Sequence, residues 1–484
     1  VMTIGKITPR IDTIADSLLL VKKEVDQVNP GHYPSFLFGS KIHNQISQVK
    51  ELADNGVSLV DEARPLIKFL PSLLGESKEK KYLVLFQNDK ELRATGGFIT
   101  AYAIFRIDKG IIHVDQSSDI YNLDNTFFPK PKAPDSVIKY LPLVRTFNLR
   151  DANLSPDYVE SMKTFYSMYQ KSGGYVPVDG VIALDTNVLV STIRILDDEV
   201  YAGGIKFTSQ EDKRCDCPQV IYELESLIST PKSIDITTTS LDSVQAKRKD
   251  MIGVLLYAIM EKALKSSPSQ YWGRLFQDAI MQADQKHVLF YLFDKDAQAG
   301  IEALNVAGKI KQFDGDYLHI NDTNFGGAKA NLFTTQEVEV KYEVENGGVI
   351  VKTVTIQYNN PHPPSDCNLE RGRLCLNAPL RDWLRIYAPK GSTLVDSKGS
   401  EVKITTYEEL EKTVFDGFLT VLPQGKSTFT ISYRLPFKLE KGSPLPVLIQ
   451  KQPGTAGNKY KIVVKGKTVE KFELFTDKKL QLKL

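Results

Sequence analysis

The spacing of apolar positions changes character twice along the chain, and each change marks a different kind of structure. Over residues 11–28, Ile11, Ile14, Leu18, Leu19 and Val21 recur mostly at three- and four-residue steps, the period of a helix with one apolar face, and Asn29-Pro30-Gly31 then stops it. A second helical run spans 42–74 and is interrupted near its end by Pro65 and Pro71. From 81 to 331 short apolar runs alternate with helical patterns, as in an α/β domain. Strands are expected at 81–87, 98–107, 111–116, 177–184, 287–293 and 316–321, and helices at 155–171, 186–196, 243–266, 269–284 and 295–304. Beyond about residue 332 the pattern becomes dense β: runs at 338–342, 349–358, 384–387, 428–433 and 460–464, separated by Gly, Pro and Asn, predict an antiparallel, immunoglobulin-like sandwich. Three units follow: helical 1–80, α/β 81–331, and β 332–484, with a joint near Asn331 to Thr335 and no long flexible linker.

Composition narrows the function. The 484 residues are 42% apolar and 25% charged, enough for full cores in two or three domains. A net charge of +2 argues against a nucleic-acid binder that relies on a broad cationic face. No apolar run approaches the roughly 18 residues needed to span a bilayer, so the chain as given reads as soluble. Its start, VMTIGKITPR, lacks the regions of a signal peptide, which suits a mature ectodomain.

Two segments carry the candidate chemistry. In Lys81 to Phe98 (KYLVLFQNDKELRATGGF) a strand stops at a polar loop and re-enters through Gly96-Gly97. Arg93 therefore sits in a strand-end loop, where five fixed donors suit a phosphate or carboxylate, although pairing with nearby Glu91 would occupy it equally well. In Leu149 to Asp157 (LRDANLSPD), Ser155 is expected as N-cap, Pro156 at the first helical position and Asp157 on the positive end of the helix dipole, a sufficient structural role for that carboxylate. Gly173-Gly174 closes this helix. Arg150 and Asp151 precede it in a loop where anions commonly bind, and an internal salt bridge is the competing reading.

Together with Val178 to Asp185 (VDGVIALD) and Gly315 to Asn331 (GDYLHINDTNFGGAKAN), these segments strongly resemble the bacterial surface proteins grouped as domain of unknown function 4012, over roughly residues 80 to 335. A weaker likeness extends to the LytR-CpsA-Psr glycopolymer transferases. The resemblance implies an α/β/α sandwich of the LytR-CpsA-Psr kind, preceded by the N-terminal helices and followed by the β module. It also implies a transmembrane segment ahead of this chain, which would make 1–80 a stalk on the extracellular face of a bacterial membrane, a role compatible with a helical hairpin packed on the main domain.

Two functions remain. In the first, the chain is a membrane-anchored surface protein with a binding or structural role in the cell envelope, its partners an envelope glycan or other surface proteins. In the second, it transfers a polyprenyl-pyrophosphate-linked glycan to the cell wall. Arg93 and Arg150 would then hold the pyrophosphate, Asp151 would bind Mg²⁺ or act as base, and Asn88 and Lys329 would assist. The transferases use a larger set of arginines than the two well-placed ones here, which tilts the reading to the first function. No cofactor follows with certainty from either.

The four cysteines form two close pairs. Cys367 and Cys375 bracket NLERGRL, and a bridge there would suit an exported protein. Cys215 and Cys217 in RCDCP are separated by one residue, which strains a direct bridge; a four-cysteine zinc site lacks the usual two-residue ligand spacing. The chain has no HExxH, no GxSxG and no GxGxxG opening a helix, and Gly466-Lys467-Thr468 lies in a hairpin-like run rather than a P-loop.

Overall fold

The structure, a computed structural model, describes residues 20, 22–25, 27, 70–141, 143–229, 251–266, 268–368, 373–438 and 442–484. The expected helices over 11–28 and 42–74 thus lie almost wholly outside the described residues, as does 243–250.

All six strands expected before residue 322 form, but only five share a sheet. Strands β1 (Lys80–Asn88), β2 (Phe98–Asp108), β3 (Ile111–Asp119) and β4 (Gly180–Asp185) are followed by two small hairpins, β5 (Val200–Ala202) with β6 (Ile205–Phe207) and β7 (Glu211–Asp212) with β8 (Cys217–Pro218), and then by β9 (Val288–Leu292). The sheet order is β3-β2-β1-β4-β9, with β1 and β4 parallel and the other pairs antiparallel. Helices among the described residues include α1 (Ile120–Asp124), α2 (Asp135–Tyr140), α3 (Tyr158–Tyr169), α4 (Thr186–Ile195), α5 (Gln219–Ser229), α6 (Met251–Lys265), α7 (Pro268–Asp284) and α8 (Lys295–Ala303). Alternate residues of β1 serve different cores, as the two-residue period of a strand requires. Leu83 and Leu85 join Tyr158, Met162 and Phe165 of α3, whereas Tyr82 joins Leu292, Ala297 and Ile301.

Helix α3 begins later than expected. Asp157, not Ser155, is its N-cap: one carboxylate oxygen accepts from the Glu160 N–H at 3.2 Å, and the other accepts from the Ile310 N–H at 3.0 Å. A carboxylate satisfies a free N–H of the first turn and also meets the helix dipole, so it outcompetes the neighbouring hydroxyl.

The C-terminal unit consists of two six-stranded sheets around one core. Its strands are β10 (Asp316–Asn321), β11 (Thr335–Val344), β12 (Val349–Asn360), β13 (Leu380–Pro389), β14 (Thr393–Lys398), β15 (Thr405–Glu409), β16 (Lys412–Val421), β17 (Gly425–Lys438), β18 (Leu445–Gln450), β19 (Asn458–Val464), β20 (Lys467–Leu474) and β21 (Lys478–Leu482). The orders are β15-β16-β13-β10-β18-β21 and β14-β17-β12-β11-β19-β20. Strand β11 alternates as a half-buried strand should, with Val338, Val340 and Tyr342 inside and Glu337, Glu339 and Lys341 outside. Two expectations are corrected here. Strand 316–321 pairs with β13 and β18 of this unit instead of joining the α/β sheet, and every one of its residues is buried. The sheets are also not purely antiparallel, because β10 runs parallel to β18 and β11 parallel to β19.

Both cysteine pairs are bridged. Cys367 and Cys375 close their loop with an S–S bond of 2.01 Å. Cys215 and Cys217 also bond, at 2.02 Å, with Asp216 between them in the left-handed region at φ +50°. This turn brings two sulfurs together across a single residue, which sequence spacing alone made unfavourable, and it leaves no thiolate for the four-cysteine zinc site.

Candidate functional site

The loop between β1 and β2 holds Arg93 and starts just after Asn88, the last residue of β1, and its shape follows from its glycines. Gly96 has φ +129°, and a side chain on Gly97 would lie 2.3 Å from the carbonyl carbon of Asn88, so only glycine lets the chain fold back so tightly. The loop is not open to solvent. Residues of the C-terminal unit and the segment leading to it hold its backbone: the Asn324 N–H donates to Leu92 O at 2.9 Å, the Asn331 N–H to Lys90 O at 3.2 Å, Asn321 Nδ2 to Ala94 O at 3.1 Å, and Gln452 Nε2 to Arg93 O at 3.1 Å.

Arg93 is fully enclosed, at 1% exposure. Its guanidinium donates to Glu91 Oε1 at 2.8 Å and to the Asn324 carbonyl, and lies 5.2 Å from the ring centre of Phe98 and 5.4 Å from that of Phe325. The second oxygen of Glu91 takes the Lys329 ammonium at 2.7 Å. Burial pushes the Glu91 carboxyl up, but Lys329 and Arg93 outweigh it and hold the group below its ordinary range. For Lys329 burial opposes the charge, while Glu91 and Glu225 together overcome that opposition and raise its pKa. Asn88 orients neither Arg93 nor an open pocket: its amide donates to Glu225 Oε1 at 2.5 Å, and its carbonyl accepts from the Lys90 N–H. Burial raises the Glu225 carboxyl.

Arg150 and Asp151 lie in a short 3₁₀ turn, Leu149–Asp151. Arg150 donates to Asp124 at 2.6 Å and stacks on Tyr121 at 4.6 Å, leaving Asp151 at 3.9 Å from its Nε. Asp151 is buried and accepts from Asn148 Nδ2 at 3.2 Å; desolvation raises its pKa against the pull of Arg150 and Arg93. The segment beyond this turn is also held by the C-terminal unit, through Arg385, which donates to Leu154 O at 2.8 Å.

The structure therefore gathers Arg93, Asn88 and Lys329 into one network of hydrogen bonds and ion pairs, in which Glu225 lies 3.9 Å from Lys329, and sets Arg150 and Asp151 in the adjoining turn. The three cations face four carboxylates of the same chain, Glu91, Glu225, Asp124 and Asp151. Among the described residues no group of three or more His, Cys, Asp or Glu side chains is placed to hold a metal ion, and no helix is long and apolar enough to cross a membrane.

A second polar cluster, containing none of the candidate site residues, sits at the ends of β1 and β4. Asp185 caps α4 and meets His287 Nδ1 at 2.5 Å; Asn187 Nδ2 donates to Asp89 at 3.0 Å; and the Thr186 hydroxyl donates to Asp89. Burial raises the Asp185 carboxyl despite the attraction of His287. The Asp–His pair resembles half of a catalytic triad, yet the hydroxyl beside it is committed to a carboxylate. The signals available in the sequence were Asp185 at the end of VDGVIALD and a histidine opening the expected strand at 287.

Fold and site together define a mixed α/β protein whose two units close over a loop of buried, mutually paired charges. A family model described as "Protein of unknown function (DUF4012)" matches residues 77–211, so over the segment carrying both candidate loops the chain resembles that family. No curated protein matches. Similar solved structures include TagV of B. subtilis, 13% identical over 52% of this chain and 88% of that one with TM-score 0.24, and the Lin1025 protein of Listeria innocua, 13% identical over 49% and 84% with TM-score 0.23. The match to the Legionella pneumophila protein lpg2210 is 8% identical, covers 31% of this chain and 55% of that one, and has TM-score 0.21.

Proposed function

We propose that this chain is the extracellular part of a membrane-anchored protein of the bacterial cell envelope, with a binding or structural role. The observation that carries this reading is the filled loop. Arg93 is spent on Glu91, a backbone carbonyl and two rings, so the guanidinium has no open side for an incoming pyrophosphate. Opening such a site would cost the buried Glu91 one of its two cations. Two disulfides suit an oxidising, extracellular compartment. In this reading residues 1–80 lie nearest the membrane as a stalk. The α/β unit takes the LytR-CpsA-Psr arrangement without its open arginine clamp, and the β unit serves the spacing or adhesive role of an immunoglobulin-like module.

One observation favours the transferase as second reading. A cavity of about 120 Å³ lined by Phe86, Leu184, Val188, Leu255 and Ile259 adjoins Asp185 and has the apolar walls an isoprenoid tail requires. The test is binding of a polyprenyl pyrophosphate analogue, with and without Mg²⁺, to the wild type and to Arg93→Ala and Arg150→Ala proteins that keep the wild-type circular dichroism, alongside sedimentation of the wild type with purified cell walls. Co-sedimentation with walls and no arginine-dependent analogue binding is the expected result. Saturable, Mg²⁺-dependent binding weakened ten- to a hundredfold in either variant, roughly 1.5 to 3 kcal/mol for a lost charge-assisted contact, would establish the transferase reading instead.

A further inference from the structure

On the far side of the same loop lies a cavity lined by none of the candidate site residues. It has a volume of about 100 Å³ and is walled by the α/β loop on one side, through Asp89, Lys90 and Leu92, and by the C-terminal unit on the other, through Asp322, Gln336, Tyr358 and Asn458. Neither unit makes this cavity alone. The two backbones meet at its edge, where Gly454 approaches Gly96 so closely that a side chain on Gly454 would lie 1.9 Å from Gly96 O.

Polar side chains held by hydrogen bonds within the protein form much of the wall. Asp322 is fixed by Tyr358 Oη at 2.8 Å and Gln336 Nε2 at 2.7 Å, and Gln336 in turn receives Asn458 Nδ2. Lys90 is anchored to Asp89 at 2.5 Å, which uses one of its three N–H groups. Asn331, which also lines the cavity, spends its side-chain carbonyl on Leu92 N–H and Asn324 Nδ2. The site thus presents donors and acceptors of both kinds. Its one ammonium is already neutralised by a carboxylate, and Leu92 and Leu380 add an apolar patch between the polar groups. That combination is poor for an anion, whose charge would meet Asp89 and Asp322. It is also poor for an acyl chain, which would strand these polar groups. It suits a group that donates and accepts hydrogen bonds without net charge.

We propose that this cleft is the ligand-binding site of the protein and that it takes a neutral, hydroxyl-rich group, the terminal sugar of a glycan, with the rest of the glycan leaving through the open mouth beside Ala456. The inference rests on the envelope-binding reading and names its ligand class. Each sugar hydroxyl can donate to a carboxylate or amide oxygen while accepting from Lys90 or an amide N–H, which matches the mixed walls.

The experiment uses the whole chain, titrated by calorimetry with a panel of neutral oligosaccharides (N-acetylglucosamine, glucose and rhamnose tetramers), with sodium phosphate and sodium acetate as ionic probes. Two variants accompany it: Ala456→Trp, an exposed rim position where an indole blocks the mouth without entering the core, and Asn458→Ala. Thermal melts confirm folding of both. Saturable binding of at least one oligosaccharide, abolished in Ala456→Trp and weakened about tenfold in Asn458→Ala, is expected. Phosphate or acetate binding in place of sugars, oligosaccharide binding unchanged in both variants, or no oligosaccharide binding by the wild type would each overturn the proposal. Sedimentation with purified cell walls separates the two levels: walls bound equally by wild type and Ala456→Trp remove this cleft and leave the envelope reading, whereas walls not bound at all remove both.

Discussion

The Arg93 network and the Asp322 cleft lie against the same loop, and both are rich in buried charge, yet they differ in what remains after the protein has made its own hydrogen bonds. In the network Glu91 has a cation on each oxygen and Arg93 faces two rings and a carbonyl; its Nε is left without a partner, but the side chain is enclosed at 1% exposure. In the cleft Lys90 and Asn331 keep unused donors beside about 100 Å³ of space. Buried charge by itself therefore does not mark a recognition site. A sealed network is scaffold; leftover donors and acceptors beside a void can do chemistry with something else.

The comparison breaks most severely if Arg93 is dispensable. Arg93→Ala leaves Glu91 buried with a single cation, and urea unfolding should show a loss of about 3 to 5 kcal/mol. A loss below about 1 kcal/mol would mean the network does not hold the loop. Glu91→Leu combined with Arg93→Met should cost less than the sum of the two single changes, because neither charge is then left alone.

The next effect comes from Asp477, buried against Lys286 at 2.5 Å, whose pKa is lowered to about 2; burial alone would raise it, and Lys286 and Lys311 outweigh burial. Its folded pKa lies below the unfolded value, so its contribution is present above about pH 4 and is lost as pH falls towards 2. The expected size is roughly 2 kcal/mol, and Asp477→Asn should flatten that acid limb of the stability curve. An unchanged acid limb would contradict the pairing.

Behind the cleft the sign reverses. Asp322 and Asp382 are both raised, chiefly by burial, and each is also influenced by the other. A carboxyl raised in the folded state contributes stability at low pH that is lost as pH rises through its folded value. Asp382→Asn preserves an acceptor for the Thr323 N–H, which donates to Asp382 at 2.9 Å, and removes a titrating group. The variant should melt higher than wild type at pH 8 and close to it at pH 4, with a slope difference of at most about 1.4 kcal/mol per pH unit. Parallel pH profiles would refute this.

The smallest effect is expected at Arg150, whose side chain is 20% exposed. Arg150→Ala should cost about 1 kcal/mol in the same urea experiment, since water can replace part of the Asp124 contact. A cost matching that of Arg93→Ala would erase the distinction between a sealed network and its rim.

Much of this architecture was already written in local pattern. The six strands before residue 322, the helices at 186–195, 268–284 and 295–303, and the β-rich texture after 335 follow from apolar periodicity, because burying one face of a strand or helix imposes a period of 2 or 3.6 wherever that element goes. The bridge between Cys367 and Cys375 was legible for a similar reason, since a short loop keeps its ends near each other. Short helices such as 120–124 and 135–140 were not, because so few turns carry no periodic signature.

What the sequence determined, then, was which segments are strands and helices, and that Arg93 and Arg150 stand in loops that could meet. Only the tertiary structure decided which sheet claims Asp316–Asn321, since an all-buried strand fits either sheet equally well by pattern. It also decided that Asn324, Arg385 and Gln452, all remote in sequence, would close over those loops. Whether a charged side chain is free or spent depends on partners brought from more than 200 residues away, as Lys329 is to Glu91. No local spacing encodes that distance, because hydrogen bonds and ion pairs act over a few ångströms of space and are indifferent to separation along the chain.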